Sequence, residues 1–187
     1  MNYKNYQKSR DAAWQILIDL NINSLPVKID TLCRELGIAV KLANMESDSD
    51  GFTFIKNGTP IIVLNSNCKN RSRLRFTCAH ELGHIILGHV GVYELVSREP
   101  SALDNPIEQA ANVFASRLLS PACVLWGCRV QNAEDIIKLC DISYAAAEYR
   151  MQRMKVLYAR DKFLTSPLER QVYENFKPFI QTRRKSF

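Results

Sequence analysis

Two histidines four residues apart inside an otherwise apolar run constrain this chain more than any other feature of it. They are His80 and His84, in Leu74-Arg75-Phe76-Thr77-Cys78-Ala79-His80-Glu81-Leu82-Gly83-His84-Ile85-Ile86-Leu87. The run reads as a strongly apolar helix over Leu74–Leu87, with Gly88 and Gly91 marking its end. On a helix, side chains at i and i+4 lie about 40° apart in projection and one turn along the axis. Both imidazoles therefore reach one point. A helix flanked by Phe76, Leu82, Ile85 and Ile86 can also be read as a buried helix that simply carries two histidines. Buried imidazoles need partners, however, and a shared metal ion satisfies both at once.

Glu81 sits between the two histidines but off their face, where a carboxylate can hold a water at the metal rather than the metal itself. This is the pattern of zinc metalloproteases: two His ligands with the intervening Glu as general base. Such a site needs a third protein ligand and an open fourth position. The remaining histidine, His89, lies nine residues beyond His80. At about 100° per residue it projects to the opposite side of the helix. The metzincin pattern would place Gly and His where this chain has Leu87 and Val90. His89 is accordingly read as a helix-end or surface residue.

The third ligand should then be a carboxylate or a thiolate. Glu108 stands out, in Ile107-Glu108-Gln109-Ala110-Ala111-Asn112-Val113-Phe114-Ala115. On a helix over Ile107–Leu119, Glu108, Ala111, Asn112 and Ala115 share one face. The two alanines let that helix come close to the histidine helix, and Asn112 can hydrogen-bond a ligand imidazole. Glu108 also suits a first helical turn after Pro106 on dipole grounds alone.

Around this pair the chain reads as α+β. Helices are expected at Asp11–Leu20 and Asp30–Leu36, the latter stopped by Gly37, then a strand at Ile38–Leu42. Phe52–Ile55 and Ile61–Leu64 flank Asn57-Gly58, which predicts an antiparallel hairpin packed near the His80 helix. Ser66–Arg75 is polar and basic, and Ser97–Asn105 reads as a loop. After Pro121, helices are expected at Ala133–Cys140, Tyr144–Tyr158 and Pro167–Phe176. The order of helices, a small antiparallel or mixed sheet and more helices suits one unit. Its core would span about residues 25–130, with a basic helical extension over 131–187.

Composition excludes several classes. With 187 residues, 47% hydrophobic and 24% charged, the chain is neither disordered nor collagen-like. No stretch approaches the roughly 20 apolar residues of a membrane span, and the first residues lack the apolar core of a secretory signal. A cytoplasmic location is the resulting expectation. Cys33, Cys68, Cys78, Cys123, Cys128 and Cys140 contain no Cys-x-x-Cys and read as reduced and structural. From Arg150 onward ten Lys/Arg face three acidic residues, a net +7, whereas the first 149 residues carry −1. A basic segment of this kind suits nucleic acid or an acidic protein surface, and equally a solvated helical face.

The stretch Arg75–His84 followed by Glu108-Gln109-Ala110-Ala111-Asn112-Val113-Phe114-Ala115-Ser116-Arg117-Leu118-Leu119-Ser120-Pro121 resembles the ImmA/IrrE-type metallopeptidases. The likeness extends to Leu25-Pro26-Val27, Leu36-Gly37-Ile38, Ile142-Ser143 and Arg150, so about residues 12–155 are covered. It implies a zincin-like fold, zinc held by His80, His84 and Glu108, and Glu81 as the catalytic glutamate. It also implies cleavage of a helix-turn-helix repressor, often encoded beside the protease on a mobile element or prophage. Two positions depart from the pattern: Ser120 where Met is usual, and Cys78 where an aliphatic residue is common. Tyr93, Tyr144 and Tyr149 are candidates for a donor to the oxyanion, and that role stays open. The rival readings are a zincin-like shell that binds a repressor without cutting it, and a nucleic-acid-binding regulator acting through the basic segment.

Overall fold

Asn57 and Gly58 turn the chain with φ of 51° and 78°, the pair of left-handed conformations a two-residue type I′ hairpin requires. The computed structural model describes residues 3–46, 49–90 and 105–184, and this turn joins β2 (Gly51–Lys56) to β3 (Thr59–Asn65). The strands pair antiparallel, with Thr53 opposite Ile62 and Lys56 opposite Thr59. On the far side of β3, β1 (Ala39–Ala43) runs parallel to it, so the sheet is mixed with order β1-β3-β2. Ile61-Ile62-Val63-Leu64 is apolar without alternation because β3 is the central strand, and all four are buried. The class is α+β.

The chain divides into two units, residues 1–12 with 28–115, and residues 13–27 with 116–187. In the first, the sheet packs against α2 (Ile29–Glu35) and α3 (Arg71–Ile86). Ile29, Leu32, Cys33, Ile62, Ala79 and Leu82 form much of its core. Helix α3 starts three residues before the expected Leu74, because the Asn70 side chain accepts a hydrogen bond from the Arg73 N–H at 3.1 Å and caps it. Its polar first turn is partly exposed, so it adds nothing to the apolar pattern that sequence reading relies on. The Cys33 thiol of α2 and the Cys78 thiol of α3 are neighbours. The Cys33 thiol and burial push Cys78 well up, which keeps it protonated at neutral pH. All six cysteines are free thiols, and only Cys68 is not buried.

Two helices run from one unit's residues into the other's: α1 (Tyr3–Asp19) and α4 (Pro106–Leu119). The second unit is otherwise helical: α5 (Ala122–Gly127), α6 (Ala133–Cys140), α7 (Tyr144–Ala159) and α8 (Pro167–Arg184). Helix α5 is absent from the sequence-based expectation. It is only six residues long, and Pro121 both follows α4 and supplies the N-cap position of α5. Helix α8 continues past Phe176 through Pro178, because Phe176 and Ile180 are buried on either side of the proline. Arg184 Nε donates to the Gly127 carbonyl at 2.6 Å and ties the end of α8 to α5. Arg150, buried, donates to the Ser120 carbonyl just ahead of Pro121. Among the described residues, no helix is long and apolar enough to cross a membrane.

Candidate metal centre

Gly83 decides how closely the two site helices can meet. A Cβ there would sit 3.0 Å from Phe114 Cδ1 and 3.3 Å from the Ala111 backbone. Only a residue without a side chain, facing a small one, allows that separation, and it brings the first turns of α4 up to α3. His80, His84 and Glu108 are all buried as a result. Their ligand atoms lie within 4.8 Å of one another.

The geometry is convergent. His80 Nε2 lies 3.0 Å from His84 Nε2. Glu108 Oε2 is 3.0 Å from His80 Nε2, and its Oε1 is 3.2 Å from His84 Nε2. His80 Nδ1 donates to Asn112 Oδ1 at 2.8 Å, which fixes the tautomer and leaves the Nε2 lone pair facing the cluster. Two such lone pairs at 3.0 Å repel unless a proton or a cation lies between them. Two neutral imidazoles and one carboxylate match the donor set of a divalent transition metal, zinc included. Burial pushes the Glu108 carboxyl up, but the His80 and His84 rings beside it, at 3.0 and 3.2 Å, outweigh burial and hold the group well below the usual carboxylate range. The buried group is thus compatible with a metal ion.

Glu81 is buried beside the cluster, on α3. Thr53 Oγ1 donates to Glu81 Oε2 at 2.9 Å from strand β2. Strand alternation explains the contact: Phe52 and Phe54 stack at 5.9 Å on one face, and Thr53 points to the other, toward α3. Sequence reading missed Thr53. The available signal was a hydroxyl residue between two aromatics on a strand expected near α3.

His89 lies just past the helix end, as the sequence suggests, but the structure corrects the expectation that it projects away from the site. The helix stops at Ile86, so projecting 100° per residue beyond that point no longer applies. His89 Nδ1 lies 3.1 Å from His84 Nδ1. Burial, and then the neighbouring His84, push the His89 imidazole down to about 4. Tyr144 and Tyr149 lie exposed on α7 of the second unit. Tyr93 and the loop segment 97–104 fall outside the described residues.

An α+β domain whose central helix carries His-Glu-x-x-His, met by a carboxylate from the next helix, has the build of a metallopeptidase. The family model of the IrrE N-terminal-like domain, a peptidase family, matches residues 33–158, and the chain belongs to that family. No curated protein matches the chain.

Proposed function

We propose that this protein is a zinc-dependent endopeptidase that hydrolyses a peptide bond in a helix-turn-helix transcriptional repressor. The observation that carries the proposal is the meeting of His80, His84 and Glu108 with Glu81 held beside them. His80, His84 and Glu108 would hold the ion, and Glu81 is the general base. Zinc in such a site supplies a Lewis acid that polarises a carbonyl and brings the pKa of water to about 7. Glu81 takes the proton of the attacking water and delivers it to the departing amine nitrogen. Thr53 holds the carboxylate in place through Oε2. Strand β2 is an outer strand of the three and pairs with β3 beside α3. An extended substrate segment added to such an edge gains main-chain hydrogen bonds and little side-chain selectivity. The repressor substrate, and its coding next to the protease, are what the ImmA/IrrE resemblance supports.

The test combines zinc-loaded protein with the helix-turn-helix repressor encoded nearest its gene. Discrete cleavage by wild type, and none by Glu81→Gln with zinc still bound, is the expected result. If Glu81→Gln relieves repression in cells as well as wild type does, the protein acts by binding and the enzyme reading is wrong.

A further inference from the structure

Helix α3 ends in a complete Schellman motif. Gly88, at φ 74°, donates its N–H to the Ile85 carbonyl at 3.1 Å, and the His89 N–H donates to the His84 carbonyl at 2.9 Å. A Cβ at Gly88 would meet nothing within 4 Å, so the glycine is there for its backbone angle alone. The motif brings the residue after the glycine back over the residue three positions before the cap, usually as an apolar contact. In this chain those two residues are His89 and His84. Their rings lie 5.2 Å apart at 65°, with the Nδ1 atoms 3.1 Å apart.

Two ring nitrogens facing each other share a single proton. If His84 offers Nε2 to an ion, its proton is on Nδ1, and His89 must accept with its own Nδ1 lone pair. The arrangement repeats what Asn112 Oδ1 does for His80 at 2.8 Å. We propose that His89 is a positioning residue for His84: it fixes the tautomer and ring plane that aim His84 Nε2 at the metal centre. The helix cap is thereby part of the site. This inference rests on the metal-site reading above, so its test must separate the two.

The experiment is zinc affinity of the full chain, by competition with a chromophoric chelator, together with the visible spectrum of the cobalt(II) form. His89→Leu fills the space without a lone pair and should weaken zinc by about 10–100-fold, the usual cost of losing such a partner. His89→Asn offers an acceptor, as Asn112 does, and should recover most of that loss. The metal-free melting temperature of the Leu variant should not fall, which separates positioning from folding. Wild-type affinity in the Leu variant, or equal losses in Leu and Asn, overturns the inference while leaving the metal site intact. Failure of wild type to bind zinc overturns the metal-site reading instead. Should His89→Leu not fold, nitrogen NMR of zinc-loaded wild type decides: His84 protonated at Nδ1 and His89 at Nε2 is expected, and the reverse pair of tautomers refutes the proposal.

Discussion

At the scale of single residues, the site separates groups that sequence spacing can place from groups that only folding can. His80, His84 and Glu108 converge as the i, i+4 spacing and the small-residue face of α4 predict. Thr53 and His89 reach the same site through strand alternation and a helix cap, and neither device shows in a helical projection. Glu81→Gln preserves volume and is expected to retain zinc. On the proposed peptidase reading, cleavage should fall by about 10²–10⁴-fold, the range for a general base, in a single-turnover assay on the proposed repressor substrate. His89 also sets a pH dependence in the metal-free protein. Its pKa drops from 6.5 to about 4 on folding, so between those values the unfolded chain binds more protons. The associated stability is complete above about 6.5 and drains away as pH falls toward 4. Urea midpoints at pH 7 and pH 5 in the presence of chelator should therefore differ more for wild type than for His89→Asn. Among the thiols, Cys68 is the one that is not buried, and it should react with a thiol reagent well before the other five.

At the scale of elements, glycines carry two of the arrangements that matter. Gly58 has open space around it, so Gly58→Val should cost about 1 kcal/mol or more through its positive φ alone. That loss would appear as a lower melting temperature with zinc binding unchanged. Gly83→Val is a different case, because its side chain would run into Phe114 and the Ala111 backbone. Overpacking of this kind costs about 1–3 kcal/mol, and it pushes α4 away from α3, so zinc affinity should fall with stability. The hairpin and α6 are legible in sequence because a turn dipeptide and a cap mark their limits: Asn57-Gly58 for one, Asn132 accepting from the Asp135 N–H for the other. Helix α5 and the end of α8 are not. Both involve a proline that reads as a stop, yet Pro121 begins a helix and Pro178 lies within one. The basic segment also looks different once folded. Arg150 and Arg184 bind carbonyls, and Arg183 lies 5.3 Å over the Phe179 ring, so part of that charge serves the fold.

At the scale of the whole molecule, every group of the site belongs to the first unit. Zinc at 100 times its dissociation constant should add about 2.7 kcal/mol to the stability of whatever cooperative unit contains it. Hydrogen exchange with and without chelator should therefore show added protection within residues 28–115, and a uniform change across 116–184 would contradict the assignment of the site to that unit. The order in which the two units occur along the chain has a further consequence, for synthesis on the ribosome. Thr53 through Asn112 emerge in one continuous stretch, so the cluster of His80, His84 and Glu108 can assemble while the C-terminal part is still being made. The second unit has no such freedom, because residues 13–27 are separated from 116–187 by the 88 residues of 28–115. At about 5–20 residues per second, translation of that stretch takes several seconds. Throughout that interval Trp14, Ile16 and Leu17 lack the rest of their own unit. A nascent chain of this protein thus presents the apolar residues of α1's second half early, while the unit that buries them is completed last, so that stretch is where a chaperone at the exit tunnel would find its first grip.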